Sequence, residues 1–333
     1  MPQTQGHSQP IIEAMRRPLV SVIVTTYNHA DTLAQALDSI LAQKVTFDIE
    51  IALSDDCSTD GTHDVCRRYA ERYPQIIKYQ RNTHNKGARD NYFDTLMRCQ
   101  GRYIADLAGD DRWCDPHKLA DQAAILNANP DVELCHTDWR YLDDTTGRLA
   151  PSRNNPKAPW LQPIADGHQL IVPLLNAHDQ MIVHSCTALY RAHTARELIT
   201  TYPNWFRNPA YPCEDLQLMT LLAHRGNVAY IDRVTLDYRV GHTQITSAKD
   251  PAKAFDFNYG TLLLRLDLQH WLQLPPALFS ENRRLAAYAA GLARRAGDRD
   301  RLDRIVALCR RRNITLPLRT RLRLLADRLL RHI

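Results

Sequence analysis

Two adjacent carboxylates close the tetrapeptide Ala108-Gly109-Asp110-Asp111, and their setting gives them chemical potential. Before them, Tyr103-Ile104-Ala105-Asp106-Leu107 reads as a buried strand. After them, Arg112 to Leu119 reads as a turn into a helix. Neighbouring like charges repel, so such a pair needs solvent or a cation between its members. A hard divalent ion with open positions for phosphate oxygens is the natural partner. In open α/β sheets, ligands bind at the carboxyl ends of strands. The plain alternative is a solvated Asp-Asp cap, and the rest of the chain must decide. Two further acidic pairs, Asp55-Asp56 and Glu214-Asp215, are the other groups suited to binding or proton transfer.

The elements that would position these acids are legible in the apolar pattern. Leu19 to Thr26 is rich in β-branched residues and almost continuously apolar, as a parallel strand buried on both faces should be. Asp31 to Gln43 has a helical period. Ile49 to Leu53 is a second strand, ending at Ser54-Asp55-Asp56. Ser58-Thr59-Asp60-Gly61-Thr62 supplies cap chemistry for a helix to about Tyr73. A strand at Ile76 to Tyr79, a helix from about Gly87 to Cys99 and the strand before Gly109 follow. This βαβαβαβ alternation predicts a parallel sheet with right-handed crossovers. A helix to about Asn127 and a strand over Val132 to Thr137 come next. Residues 143 to 167, with four prolines, read as a long irregular loop. Ser185 to Tyr190 is strand-like, Glu214 to Arg225 is helical, and two short strands are expected at Val228 to Ile231 and Leu236 to Arg239. From about Ala252 the chain is expected to be helical, broken at Pro275-Pro276 and Pro317.

The 333 residues, 44% of them hydrophobic, suit one large domain or two smaller ones. No window approaches the ~20 apolar residues needed to span a bilayer. Met1 to Arg17 is polar, without a secretory apolar region, and is expected to be a disordered tail. None of the eight cysteines forms a C-x-x-C pair, so a zinc site is not expected, and they read as reduced cytosolic thiols. The net charge of +5 hides an asymmetry. Residues 281 to 333 hold fifteen arginines, no lysine and five acids, a net +10, which leaves −5 for the rest. An acidic body with a basic tail suggests that the tail meets an anionic surface.

Several segments together resemble the family 2 glycosyltransferases, which have the GT-A fold. Val20-Ser21-Val22-Ile23-Val24-Thr25-Thr26-Tyr27-Asn28 resembles that family's opening strand. Ser54 to Thr62 resembles its D-D-G-S-T-D-G-T turn, with Cys57 where glycine is usual. Asn85-Lys86-Gly87-Ala88-Arg89-Asp90-Asn91 resembles its N-x-G-x-x-x-A-R-N region, shortened. Gly109 to Trp113 and Asp115 to Leu119 resemble the metal-binding D-x-D segment and the helix after it. Glu214-Asp215 is similar to the acidic pair that carries the catalytic base, and Tyr238-Arg239-Val240-Gly241-His242 to the Y-R-x-H-type segment. The matches run from about Leu19 to Ser247. They imply an α/β GT-A fold, Rossmann-like, with a mostly parallel central sheet flanked by helices and a C-terminal helical extension. The expected division is a tail over 1–17, a transferase domain over 18–250 and a helical region over 251–333.

The resemblance implies an inverting transfer from a nucleotide-sugar donor, with UDP as the expected nucleotide. The acceptor would be a saccharide or lipid-linked saccharide in bacterial surface polysaccharide, O-antigen or capsule assembly. It implies a divalent cofactor, Mn²⁺ or Mg²⁺, with Asp111 as metal ligand and His242 as a second contact to metal or diphosphate. Asp110 would touch the ribose or sugar. Asp55 or Asp56 would accept from uracil N3–H, Thr25 and Tyr27 would line the nucleotide pocket, and Arg89 would pair with base or diphosphate. Asp215 would be the general base, with Glu214 the rival for that role. Each has a plainer reading: a surface histidine, a solvated helix arginine, two solvated acids at a helix N-terminus. The family often has an acid where Ala108 stands. Ala108 and Cys57 favour a non-catalytic scaffold as the competing reading. A nucleotidyltransferase would need a Gly-rich phosphate loop after the first strand, and Thr25-Thr26-Tyr27-Asn28-His29 has no glycine. No nucleic-acid partner is expected. After Pro317, Leu318, Leu322, Leu325, Leu329 and Ile333 fall on one helical face and Arg319, Arg321, Arg323, Arg328 and Arg331 on the other. Such a helix can lie in an anionic membrane surface or dock its leucines on the protein. The expected location is cytoplasmic, with possible peripheral attachment to the inner face of the membrane.

Overall fold

The computed structural model describes residues 17–152, 158–177, 181–241 and 250–329. Its first half follows the predicted alternation: β1 (Val20–Thr26), α1 (Leu33–Leu41), β2 (Ile49–Asp55), α2 (Thr62–Arg72), β3 (Ile77–Arg81), α3 (Ala88–Arg98) and β4 (Tyr103–Ala108). Then come β5 (Arg112–Trp113), α4 (Lys118–Ala128), β6 (Val132–Asp143), β7 (Leu149–Pro151), α5 (His168–Asn176), a 3-10 turn (Ser185–Thr187) and β8 (Leu189–Arg191). The chain continues through α6 (Ala192–Thr201), α7 (Pro203–Arg207), α8 (Asp215–Arg225) and β9 (Asn227–Val240). It ends in helices α9 (Pro251–Trp271), α10 (Ser280–Arg295), α11 (Arg299–Arg311) and α12 (Leu318–Leu329).

The described strands form one sheet in the order β3-β2-β1-β4-β8-β6-β9-β5, with β7 beside β6. Pairing is parallel across β3-β2-β1-β4 and again between β6 and β9. The short β8 runs antiparallel between the two blocks. Most of the pairing is thus parallel, as expected, and the antiparallel members are the short β5, β7 and β8, whose direction hydrophobic period does not reveal. Alternation along the strands feeds two apolar layers. Val20, Val22 and Val24 of β1 meet Leu37, Ile40 and Leu119 on one face. Ile23 meets Tyr92, Phe93, Leu218 and Leu222 on the other. The C-terminal helices make a third cluster, in which Ala286, Ala289 and Ala293 of α10 pack near Phe255 and Leu262 of α9.

Three local expectations change. The two short strands near the end of the sheet are one strand, β9, whose pairing with β6 shifts register around Asp138. The loop over 143–167 contains β7, which pairs with Tyr141 and its neighbours. Ser185–Thr187 is a 3-10 turn rather than a strand, so that only Leu189–Arg191 joins the sheet. Helix α5 was hidden by Pro173 within it.

Candidate active site

The parallel register sets the carboxyl ends of β1, β2 and β4 side by side. Thr26 lies opposite Asp55, and Thr25 opposite Ala108. Gly109 then turns the chain hard against β1, its N–H donating to Thr25 O at 3.1 Å. A Cβ on Gly109 would sit 2.7 Å from Thr26 Oγ1 and 2.8 Å from His29 Nδ1, so no other residue fits without displacement. This turn fixes the acidic pair. Asp111 is buried, and its Oδ1 accepts the Arg239 backbone N–H at 2.9 Å. Arg239 Nε donates to Asp110 O at 2.8 Å, and its guanidinium continues to Asp144 and to Gln35 at 3.1 Å. The Tyr238-Arg239 segment of β9 thus clamps the acidic turn. Burial, then repulsion from Asp110, hold the Asp111 carboxyl well above the usual range. Asp110 is more open, with His29 Nε2 at 3.9 Å from its Oδ2.

This pair fits a divalent cation in charge, since a cation is what would relieve the repulsion. Among the described residues, no three His, Cys, Asp or Glu form a ready metal cage. One or two carboxylates suffice where substrate phosphates and water complete the coordination. His242, the second expected contact, lies outside the described residues.

Asp55 and Asp56 are both buried. Asp55 Oδ1 accepts from Ser58 N–H at 2.9 Å and Ser58 Oγ at 2.5 Å, and its Oδ2 faces Arg81 Nε at 3.4 Å and Tyr79 Oη at 3.5 Å. Asp56 Oδ1 accepts from Asn82 Nδ2 at 2.8 Å and Lys86 N–H at 2.9 Å, and Oδ2 from Gly87 N–H at 2.8 Å. Both acids therefore hold loops at the sheet edge. Asp55 has filled its acceptor capacity, whereas Asp56 Oδ2 keeps a free lone pair. Cys57 between them and Ser58 has φ +64°, the left-handed conformation that explains the family's usual glycine. Thr25 sits half-buried at the end of β1, and Tyr27 is exposed at the mouth of the edge.

Arg89 is not brought to that edge as a free cation. Its Nε and Nη2 pair with Asp90 at 3.1 and 3.0 Å, and its Nη1 donates to the carbonyls of Asn208 and Tyr211 at 2.5 and 3.2 Å. It ties the start of α3 to the segment before α8. Trp113 is also structural: it is buried, and its Nε1 donates to Cys186 O at 2.9 Å.

Glu214 immediately precedes α8 and Asp215 is its first residue. Burial, then repulsion from Asp215, push the Glu214 carboxyl up to about 8, and burial raises Asp215. Asp106 was read as one member of an apolar strand. It is buried on β4 with its Oδ2 2.9 Å from Tyr92 Oη and its Oδ1 3.1 Å from Tyr190 Oη, while the two hydroxyls lie 2.7 Å apart. Those three contacts need three protons, and two phenols supply only two. The third belongs to Asp106 itself, whose carboxyl burial pushes up to about 7. An acid in a strand buried on both faces is the sequence signal for such a group.

His184 is a second residue that sequence reasoning missed. It caps the Ser185–Thr187 turn, its Nδ1 accepting from Cys186 N–H at 3.2 Å. The ring packs edge-on to Tyr238 with centroids 4.5 Å apart and lies near Trp139 at 5.9 Å. Among the described residues its buried Nε2 has no hydrogen-bond partner, and burial holds the imidazole neutral down to about 4.

A sheet of this kind, with acids gathered at the carboxyl ends of its strands, is an open α/β enzyme fold with its candidate site at that edge. Residues 21–197 match the family model described as glycosyl transferase family 2, and the chain belongs to that family. Curated relatives include the uncharacterized protein Rv1520 of Mycobacterium tuberculosis, 36% identical over 123 residues, which cover 37% of this chain and 36% of that one. Another is the abequosyltransferase RfbV of Salmonella typhimurium, 32% identical over 145 residues, 43% of this chain and 41% of the relative. The chain thus matches less than half the length of these relatives. Among solved structures, S. aureus TarS 1-349 in complex with UDP-GlcNAc superposes with a TM-score of 0.55 at 18% identity, covering 83% of this chain and 72% of that chain. The mannosyltransferase PcManGT of Pyrobaculum calidifontis, in complex with GDP-Man and Mn²⁺, gives 0.53 at 20% identity, covering 89% and 81%. These likenesses establish the GT-A fold.

Proposed function

We propose that this chain is a metal-dependent, inverting glycosyltransferase that moves a sugar from a nucleotide-sugar, with UDP as the expected nucleotide, to a hydroxyl of a surface-polysaccharide intermediate. The observation that carries the reading is the clamped Asp110-Asp111 turn at the carboxyl end of β4, with its buried acid under repulsion. Asp56, with its spare acceptor lone pair, is the candidate for uracil N3–H, with Thr25 and Tyr27 beside it. Asp111, with His242, would hold the divalent ion, and Asp110 would touch the donor's ribose or sugar. Bound there, that ion would neutralise the charge growing on the diphosphate as the anomeric bond breaks. Asp215 would accept the proton of the acceptor hydroxyl as its oxygen attacks C1 from the face opposite the diphosphate, which inverts that centre. Its raised proton affinity suits a base working near neutral pH.

A further relative, the putative teichuronic acid biosynthesis glycosyltransferase TuaG of Bacillus subtilis, 40% identical over 97 residues, supports a polysaccharide intermediate as acceptor. Among the described residues no helix is long and apolar enough to cross a membrane. Leu318 and Leu322 of α12 are 65% and 55% exposed, beside Arg319, Arg321 and Arg323, which favours attachment of this basic helix to an anionic lipid surface over docking on the core.

Calorimetric titration with UDP tests the site. UDP should bind in Mn²⁺ and bind much more weakly in EDTA, and Asp111→Ala should reproduce that loss in the presence of metal. Equal affinity with and without metal contradicts the assignment.

A further inference from the structure

His184 has the features of a ligand-binding side chain that neither the fold nor the core explains. It is only 6% exposed, yet among the described residues its Nε2 meets no acceptor. Leaving a buried polar group unpaired is costly, so such an atom calls for a missing partner. The tautomer follows from the other nitrogen. Cys186 N–H donates to Nδ1, so that Nδ1 carries a lone pair and the neutral ring carries its proton on Nε2. A protonated Nε2 cannot ligate a metal. It can only donate, and the matching partner is an oxygen.

The position says which oxygen. The turn that His184 caps is packed on the acidic turn, because Ala108 N–H donates to Cys186 Sγ at 3.4 Å. On its other side the ring touches Tyr238, the residue next to the Arg239 that clamps Asp111. The charge of Asp110 is felt at the ring. The adjacent Trp139 carries a second buried donor, Nε1–H, that also has no partner among the described residues. Two unpaired donors beside a cluster of carboxylates form a local complement to an oxygen-rich ligand.

We propose that His184 is a donor-binding residue, its Nε2–H held for an oxygen of the nucleotide-sugar, either of the diphosphate or of the sugar ring. This rests on the functional reading above. The oxygen is phosphate or hydroxyl according to how far the donor extends past the acidic turn, and two probes separate the cases.

The test compares binding of UDP and UDP-GlcNAc, in Mg²⁺, to the full chain and to His184→Asn. The asparagine oxygen can still accept from Cys186 N–H, while the Nε2 donor is gone. A lost hydrogen bond of about 1 kcal/mol corresponds to a 5- to 10-fold weaker affinity. An equal loss for both ligands assigns a phosphate oxygen, and a loss for UDP-GlcNAc alone assigns a sugar hydroxyl. Either supports the proposal. In parallel, nitrogen-15 imidazole spectra of the wild-type protein should show the Nε2–H tautomer and a shift of that proton on saturation with the ligand. This second measurement holds whether or not the variant folds. Unchanged affinity for both ligands in a folded His184→Asn protein overturns the proposal, as does an Nε2–H resonance unmoved at saturation, which would mean a structural water only. A wild-type protein that binds neither ligand overturns this proposal together with the functional reading. Binding that leaves His184 untouched overturns this proposal alone.

Discussion

At the scale of single residues, the site is a set of carboxylates in three different states. Asp55 is saturated by protein donors and acts as a brace. Asp111 is raised by burial and by repulsion from Asp110, Glu214 by burial and by Asp215, and Asp215 by burial. Placement decides role more than residue type does. If Asp215 is the base, Asp215→Asn should keep donor affinity within a few-fold and lower kcat by about 10²-fold or more. Glu214→Gln should be milder, and a dead Glu214→Gln beside an active Asp215→Asn would reverse the assignment. The sign of the pH dependence follows from the same raised affinity. The base works only when deprotonated, so kcat/KM should fall as pH drops, along a limb lying above the usual carboxylate value near 4. A limb at 4 in a pH–rate profile would contradict the shared burial of the pair.

At the scale of elements, β4 does more than present Asp110 and Asp111. Its Asp106 belongs to a buried triangle with Tyr92 of α3 and Tyr190 of β8, which joins a strand, a helix and the antiparallel insertion. The folded carboxyl keeps its proton up to about 7, against an unfolded value near 3.8. Folding therefore binds a proton over that window. Stability from this group is fullest below pH 4 and is lost as pH rises through 7. Asp106→Asn can donate and accept within the triangle but cannot ionise. Its Tm should gain several degrees on the wild type between pH 5 and pH 8.5, and a gap independent of pH would contradict the triangle's protonation. The first half of the sheet was legible in the sequence because β1, β2 and β4 are buried on both faces and their runs are almost purely apolar. The acidic turns were legible because charge at the end of such a run is conspicuous. The second half was harder to read. A three-residue strand such as β8 has no period, Pro173 masks α5, and strand direction leaves no mark on composition. Asp106 and His184 were missed because their roles depend on neighbours distant in sequence. Arg89 was placed by motif at the nucleotide, while Asp90, Asn208 and Tyr211 claim its donors.

At the scale of the whole molecule, an acidic GT-A body precedes an arginine-rich helical end. Each basic residue close to an anionic leaflet is worth about 1 kcal/mol, and screening weakens that within a Debye length of roughly 10 Å at 0.1 M salt. The full chain should co-sediment with anionic liposomes at low salt and be released as salt rises. Removing residues 317 to 333 should abolish sedimentation yet leave UDP binding intact, because the acidic turns precede that helix in all their contacts. Full-length protein that ignores such liposomes at low salt would contradict the membrane role. The central claim, glycosyl transfer from a nucleotide-sugar, is tested most directly by incubating the protein with a panel of UDP-, GDP- and dTDP-sugars and measuring release of the nucleoside diphosphate. The account predicts release from at least one UDP-sugar that requires Mn²⁺ or Mg²⁺, stops in EDTA and is lost in Asp215→Asn. Release that persists undiminished in EDTA and in Asp215→Asn, or none from any sugar nucleotide with acceptor saccharides present, would contradict it.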